Sequence, residues 1–193
     1  MSRNRKLAIL LSGRGSNFLA IHEAIARGDL RAEIECVVSN VPEAPGLVRA
    51  RELGLTGLCL PSRGVDRVEY DRQLLALLQP RDPALICLAG FMRVLSPGFV
   101  RAFRGRILNI HPALLPSFPG LHAQRQALAH GVLVTGCTVH LVDEGVDTGP
   151  ILMQRAVEIR AGDTEESLSA RILEQEHDVY WRAIAGVLEK QNR

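Results

Sequence analysis

The sequence predicts an α/β fold of the Rossmann-like, doubly wound type, with a mostly parallel sheet and an antiparallel C-terminal extension. First, short apolar runs alternate with segments of helical periodicity over the first 90 residues, as in consecutive βαβ units. Second, this alternation changes after residue 90, where GCTVHLVDEGVDTGPILMQRAVEI contains two strand-like runs joined around EGVDTGP. The two observations together favour one continuous sheet flanked by helices.

The first half is predicted to consist of strands and helices in strict alternation. In SNFLAIHEAIARG, the apolar residues Phe18, Ile21 and Ala24 recur at helical spacing, and Gly28 can end the helix. The strands are predicted at 6–12, 32–40, 56–61 and 83–91, and the helices at 16–28, 45–54 and 68–79. The short links between these elements favour a parallel sheet.

The second half is predicted to be less regular. It contains a short helix at 96–105, a strand at 106–112, a turn-rich segment at 113–122, a helix at 124–131, two strands within 136–159 and a long helix at 164–188. Thr164 is the expected N-cap of the last helix, but Ser167 stands where a capping box has Glu, so the box is expected to be imperfect. With no repeat or linker, residues 1–193 are predicted to form one domain.

The composition is that of a globular protein with no nucleic-acid or membrane partner. The 193 residues are 47% hydrophobic with a net charge of +2, and no basic tract is interleaved with aromatic residues. Arginine predominates among the basic residues, which suits anion binding, although such arginines more often belong to solvated helix faces. The apolar runs are too short for a signal peptide or a membrane span. The four cysteines are far apart, which favours a reducing, cytoplasmic location.

The segment SGRGSN (12–17) is a candidate anion site between the first strand and the first helix. Its two glycines let the backbone approach a ligand, and Ser16 and Asn17 place amides at a helix N-terminus. Phe18 stands in place of the third glycine of the dinucleotide fingerprint, and no GK[ST] follows, so a phosphate monoester fits better than a pyrophosphate. A plain turn is the alternative, but the carboxyl end of a strand in such a sheet favours ligand binding.

The segment RILNIHP places Asn109 and His111 on one face of a predicted strand, because side chains alternate along an extended backbone. Leu108 and Ile110 would then face the core, and Pro112 would keep the His111 backbone out of the helical region. A histidine near a strand end is often structural, so structural and catalytic interpretations are equally open at this point.

The segment DEGVDTGPI supplies acidic residues for the same region. A solvated turn is the usual interpretation of such a loop, but the turn-forming residues after Asp147 indicate a fixed conformation. An aspartate near an imidazole would raise the histidine pKa and maintain a proton donor. The six histidines form no HxH or HxxxH pair, so no metal site is predicted, and no GxSxG elbow is present. An amide, an imidazolium and a carboxylate suit acyl transfer through a tetrahedral intermediate.

The sequence resembles the folate-dependent formyltransferases, in particular those that act on glycinamide ribonucleotide, at SGRGSN, AGFMRVLSP, LNIHPALLPSFPGLH, DEGVDTGPI and QEHDVYW. These stretches spread over essentially the whole chain. The resemblance implies the formyltransferase fold, with a phosphate-binding lobe at 1–100 and a folate and catalytic lobe at 101–193. It further implies that 10-formyltetrahydrofolate, a cosubstrate, gives its formyl group to the amine of glycinamide ribonucleotide in purine biosynthesis, with no metal.

The same resemblance implies roles for individual residues. Asn109 would bind the formyl oxygen, His111 would donate a proton, and Asp147 would raise the histidine pKa and order a water. The implied substrate-binding residues are Gly15, Ser16 and Asn17 for the phosphate and Glu176 for the ribose or glycinamide end. The implied folate-binding residues are Arg67, Met92, Arg93, Val94, Leu95, Asn109, Asp143, Glu144, Gly145 and Val146. A cis peptide bond is implied between Leu115 and Pro116.

Three related functions are alternatives. Methionyl-tRNA formyltransferases share the Asn, His and Asp set but need an RNA-binding region, for which a chain ending at Arg193 is expected to have no room. Formyltetrahydrofolate hydrolases usually carry an N-terminal regulatory domain, whereas the predicted sheet begins at Lys6. A non-catalytic sugar-phosphate-binding module would bind its ligand without His111. The sequence is compatible with a monomer and with a homodimer.

Overall fold

The computed structural model describes residues 4–191, so the first three and last two residues of the predicted domain lie outside the described part. Seven strands are present in it: β1 (Lys6–Leu11), β2 (Glu33–Ser39), β3 (Gly57–Cys59), β4 (Leu85–Leu88), β5 (Ile107–His111), β6 (Val134–Leu141) and β7 (Ile151–Glu158). Six α-helices accompany them: α1 (Ser16–Ala26), α2 (Pro45–Glu52), α3 (Arg67–Leu78), α4 (Pro97–Ala102), α5 (Ala123–His130) and α6 (Glu165–Lys190). A short 3₁₀ helix, Gln79–Arg81, follows α3.

The strands form a single sheet in the order β3-β2-β1-β4-β5-β6-β7. The first five strands in this order are parallel, and β6 runs antiparallel to both β5 and β7. The predicted fold class is therefore confirmed, including the antiparallel C-terminal extension. The chain order reverses between β1 and β4, and crevices at such reversals are where open α/β sheets bind ligands.

Helices cover both faces of the sheet because its central strands are apolar on both sides. Leu7, Ile9 and Leu11 of β1 pack in one core with residues of α1, α2 and α6, whereas Ala8 and Leu10 pack in a second core with α3 and α4. Strands buried on both faces are typical of parallel sheets. The boundary predicted between the two lobes lies within α4, and the sheet continues across it.

Two local predictions differ from the structure. The strand predicted at 83–91 ends at Leu88, because the backbone turns at Gly90 with φ of 75° and the Gly90 carbonyl accepts a hydrogen bond from the Ser12 amide. The capping box of α6 is complete: Ser167 N–H donates to Thr164 Oγ1 (3.2 Å), and Ser167 Oγ accepts from Thr164 N–H (3.0 Å). A serine hydroxyl can therefore replace the carboxylate expected at this position.

Candidate active site

The candidate active site is a cavity of about 530 Å³ at the carboxyl ends of β4 and β5. Segments from both halves of the chain line it, namely the residues after β4, the end of β5, the turn before α5 and the loop between β6 and β7. Its position on the sheet is the one expected for a ligand site in this fold.

Asn109 and His111 lie on the cavity side of β5, as the alternation along the strand predicts. Leu108 and Ile110 belong to the core packed against α1 and α6. Both polar residues are paired across to β6, where His140 lies opposite Asn109. Asn109 is paired with both β4 and β6, whereas His111 is paired with β6 alone.

Asp147 lies beside both of these residues. Its Oδ2 is 3.3 Å from His111 Nδ1, and its Oδ1 accepts from Asn109 Nδ2 at 3.4 Å. The three residues implied as the catalytic set are thus brought together, although Asp147 is 36 residues beyond His111 in the chain. Asp147 has a φ of 56°, a left-handed conformation that is uncommon for residues other than glycine.

The contacts of Asp147 favour its charged form. Burial acts to raise the pKa of Asp147, but the His140 ring, the Gly120 amide and the charge of His111 together outweigh it, so the pKa lies below its usual value. The Gly120 amide donates to Asp147 Oδ2 at 2.8 Å. Asp147 is therefore an anion at neutral pH and directs its negative charge at two imidazole rings.

The turn between β5 and α5 supplies a second neighbour for His111. His111 Nε2 lies 2.8 Å from the Phe118 carbonyl oxygen. A carbonyl and a carboxylate only accept hydrogen bonds, so a ring with protons on both nitrogens can donate to both. The Leu115–Pro116 peptide bond in this turn is cis, which confirms the implied detail.

His140 is part of the site and was not predicted from the sequence. It is 2% exposed, and its Nε2 lies 3.2 Å from Asn109 Nδ2 and 3.5 Å from Asp147 Oδ1. Its Nδ1 lies 2.9 Å from the Leu141 carbonyl oxygen, so both ring nitrogens have polar neighbours. The alternation in CTVHLV is a signal for His140, but only the register of β6 on β5 shows that it faces Asn109.

The second candidate site lies at the N-terminus of α1. Gly15 is the N-cap residue with φ of 74°, and no side chain caps this end of the helix, so the first amides are available to an anion. A side chain at Gly15 would also approach Gly46 Cα to 3.0 Å. Ser16 and Asn17 form the first turn, as predicted for a phosphate site.

Glu176 on α6 contacts this site through Asn17. Asn17 Nδ2 donates to Glu176 Oε2 at 2.7 Å, and both residues are 7% exposed. Burial raises the pKa of Glu176 to about 7, although the Asn17 hydrogen bond acts in the opposite direction. The burial of Glu176 could not be predicted from the helical pattern, which is equally compatible with an exposed residue at this position.

Most residues implied to bind folate line the cavity. They are Met92, Arg93, Val94, Leu95, Asn109, Asp143, Gly145 and Val146. Met92 and Val94 are 69% and 51% exposed, so these apolar side chains are open to a ligand rather than buried in the core. Asp143 accepts hydrogen bonds from the Gly145 amide and the Thr148 hydroxyl and thereby orders the loop that carries Asp147.

Two implied folate residues lie away from the cavity wall. Arg67 is an exposed residue at the start of α3, and Glu144 forms an exposed ion pair with Arg101 at 3.1 Å. Several other lining residues were not predicted: Leu88, Gly90, Phe91, Gly120, Leu121, His122, Gln124 and Glu165. Most of these belong to turns, where the sequence carries no periodic pattern that could identify them.

Residues 4–191 contain no group of three or more His, Cys, Asp or Glu side chains that could hold a metal ion. In the same part of the chain, no helix combines the length and the apolar character needed to cross a membrane.

Comparison with known proteins finds similar sequences over almost the whole chain. Residues 5–184 match the family model described as formyl transferase. The sequence is 43% identical over 175 residues to the phosphoribosylglycinamide formyltransferase of Escherichia coli (strain K12), which covers 90% of this chain and 82% of that protein. It is also 49% identical over 187 residues to the trifunctional purine biosynthetic protein adenosine-3 of Drosophila melanogaster, but spans only 14% of that protein's length.

A solved structure gives the same result for the fold. The glycinamide ribonucleotide transformylase 1 of Symbiobacterium toebii superposes with a TM-score of 0.95 at 44% sequence identity. The match covers 98% of this chain and 90% of that chain.

Proposed function

Because the chain belongs to the formyl transferase family, we propose that it transfers a formyl group from 10-formyltetrahydrofolate to the amine of glycinamide ribonucleotide. The products are formylglycinamide ribonucleotide and tetrahydrofolate, and the reaction is a step of purine biosynthesis. The observation that carries the proposal is the convergence of Asn109, His111 and Asp147 at one cavity, with each of the first two within 3.4 Å of Asp147.

The choice of the two substrates is supported by the two parts of the site. The apolar cavity next to Met92 and Val94 suits the flat pterin of a folate. The uncapped N-terminus of α1 suits the phosphate of a sugar monophosphate. The relatives of similar length are phosphoribosylglycinamide formyltransferases, which favours glycinamide ribonucleotide as the acceptor.

The proposed chemistry is direct transfer. The glycinamide amine attacks the formyl carbon, and the carbonyl oxygen gains negative charge as the tetrahedral intermediate forms. In the proposed transition state, the Asn109 Nδ2 proton that makes the long 3.4 Å contact with Asp147 in the structure donates to this oxygen instead. The bond between the carbon and folate N10 then breaks as N10 takes up a proton, and the amine loses one.

His111 is proposed as the proton donor. Its Nδ1 faces the Asp147 carboxylate, so the proton available to the reaction is on Nε2, which the Phe118 carbonyl accepts in the structure. The Asp147 carboxylate lies 3.3 Å from Nδ1 and orients the ring. No covalent enzyme intermediate is part of this scheme.

The proposal predicts large losses of turnover when either donor is removed. Loss of one oxyanion donor typically costs about 10²–10³ in rate, so Asn109→Ala should lower kcat by that factor and His111→Ala by at least as much. Turnover is measured from the ultraviolet absorbance of the folate product. Near-normal kcat in either folded variant would contradict the assignment.

The same assay identifies the acceptor. Product should form only when glycinamide ribonucleotide is present, and a matched run without it serves as the control. Formate release without any acceptor would indicate a hydrolase instead. Ligand binding that persists in His111→Ala, with no turnover by the unmodified protein, would indicate a non-catalytic binding module.

A further inference from the structure

Tyr180 on α6 makes a polar contact with the backbone of Leu88, a residue that lines the cavity, and the proposed reaction does not use this contact. The side chain is 1% exposed, and its Oη lies 3.0 Å from the carbonyl oxygen of Leu88 and 3.0 Å from that of Leu108. A phenol has one proton, so the two carbonyls share it. The hydroxyl thereby links the last residue of β4 to the second residue of the neighbouring strand β5.

These two carbonyls lie where the strands stop pairing. The registered pairs between β4 and β5 end with Leu88 opposite Asn109. Beyond this pair, β4 turns away at Gly90 to form one wall of the cavity, while β5 continues to His111. Asn109 is therefore the last residue of β5 that is paired with β4.

The helix that carries Tyr180 is itself fixed. Glu176, one turn earlier on the same side of α6, accepts the hydrogen bond from Asn17 at 2.7 Å. Tyr180 also packs in the core shared by α1, β1 and β5. Burial raises the pKa of the Tyr180 phenol, so it remains a donor throughout the neutral range. Its hydroxyl therefore holds the Leu108 carbonyl of β5 in a defined position.

We propose that Tyr180 is a positioning residue, which acts through the Leu108 carbonyl to hold the Asn109 amide where it can donate to the formyl oxygen. It contacts no substrate and supplies no proton to the reaction. The proposal rests on the proposed formyl transfer, because the oxyanion that Asn109 would bind exists only in that reaction.

The test is Tyr180→Phe, which removes one hydroxyl and retains the ring. A misplacement of 1 Å can cost about 10² in rate, so a shift of a few tenths of an ångström is expected to lower kcat by about tenfold. The KM values for both substrates should stay unchanged, since an interaction made only in the transition state is affected. The matched control is Tyr70→Phe, because Tyr70 is also fully buried and its hydroxyl has no hydrogen-bond partner within the described residues. Its kcat should equal that of the unmodified protein.

A double-mutant cycle separates positioning from a general structural effect. If Tyr180 acts through Asn109, Tyr180→Phe should cause no further loss of kcat in the Asn109→Ala background. Replacing Tyr180 with p-aminophenylalanine, which restores an N–H donor, should recover most of the lost kcat. All variants are assayed well below their thermal midpoints, so that a loss of stability is not read as a loss of turnover.

Two outcomes overturn the inference: a kcat for Tyr180→Phe equal to that of Tyr70→Phe, or an additive loss in the double mutant. If Tyr180→Phe does not fold, the p-aminophenylalanine variant decides, and a kcat tenfold below normal in that variant also overturns the inference. Absence of formyl transfer by the unmodified protein would instead contradict the proposed function, so the two failures are distinguishable.

Discussion

Glu176 is the residue whose burial has the clearest consequence for stability. The carboxyl is 7% exposed, and its pKa of about 7 lies above the value of about 4.3 expected for an unfolded chain. A raised pKa in the folded state means that the native protein holds a proton which the unfolded chain has released. The contribution of this group to stability is therefore fully present below about pH 4.3 and is lost as the pH rises to about 7.

This linkage predicts that Glu176→Gln alters the pH dependence of stability. Glutamine cannot ionise, so its free energy of unfolding does not fall with pH in this way. The stability of the variant relative to the unmodified protein should therefore increase by on the order of 3 kcal/mol when the pH is raised from 5 to 8. Urea unfolding at the two pH values measures the difference. Glu174→Gln is the control, because Glu174 is exposed on the same helix. If the free energies of unfolding of the variant and the unmodified protein differ by the same amount at both pH values, Glu176 does not have a raised pKa in the folded state.

The candidate catalytic residues show which contacts can be predicted from the sequence. Asn109 and His111 could be predicted to share a face, because strand alternation is a local property of the sequence. The contacts of His140 could not, since they depend on which strand is next to β5 and in which register. The turn-forming residues after Asp147 already singled out this aspartate, whereas Glu176 and the cis bond at Leu115–Pro116 came from the family resemblance alone.

At the scale of elements, the loop between β6 and β7 is held together by close backbone packing at Gly149. A Cβ atom at this position would lie 1.8 Å from the Leu141 carbonyl oxygen, which is part of the backbone and has little freedom to move. The Leu141 amide also donates to the Pro150 carbonyl at 2.9 Å, where the loop closes. The conformation that directs Asp147 into the site therefore depends on a glycine two residues later.

We expect Gly149→Ala to destabilise the fold by about 2 kcal/mol, a typical cost of overpacking, and to lower kcat through displacement of Asp147. Gly186→Ala is the matched control, because Gly186 lies inside α6 and an added Cβ would meet nothing within 4 Å. Alanine is favoured over glycine in a helix by about 1 kcal/mol, so this variant should gain stability and keep its kcat. Urea unfolding and turnover are measured for both. Equal stability of the two variants would show that the loop can rearrange around a side chain.

The helices and strands with long periodic patterns were predicted correctly, but the positions and caps of their ends were not. The strand after residue 83 was predicted too long, because Ala89 and Phe91 continue the apolar run although Gly90 turns the backbone. The capping of α6 was underestimated, since a serine at the third helical position was not expected to make both bonds. In both cases one residue, Gly90 or Ser167, decides where the element ends or how it is capped, and the pattern of the surrounding residues does not show this.

At the scale of the whole molecule, the strand order brings two sites to one edge of the sheet. The cavity lies beyond β4 and β5, and the N-terminus of α1 follows the adjacent strand, β1. The Met92 amide donates to Ser12 Oγ at 2.8 Å, so the cavity wall is joined directly to the loop before α1. This proximity would allow a sugar phosphate held at α1 to present its amine to a formyl group in the cavity.

The two sites nevertheless have separate residues, since Gly15, Ser16 and Asn17 do not line the cavity. We therefore expect inorganic phosphate to compete with glycinamide ribonucleotide and not with 10-formyltetrahydrofolate. Steady-state rates at several phosphate concentrations should show an apparent KM for the ribonucleotide that rises linearly with phosphate concentration, with kcat unchanged. Sodium chloride at equal ionic strength is the control for screening of surface charges.

Gly15→Ala tests whether phosphate acts at α1. Gly15 has a φ of 74°, a conformation that costs a residue with a side chain roughly 1–2 kcal/mol, and a Cβ would also press on Gly46. In the free variant the loop is expected to relax from this conformation, so phosphate binding must restore it. The variant should therefore bind phosphate about tenfold more weakly, as judged from its inhibition constant, because 1.4 kcal/mol corresponds to a factor of ten. Its KM for 10-formyltetrahydrofolate should not change. Competition between phosphate and the folate, in either protein, would mean that the anion binds in the cavity and that the two sites are not separate.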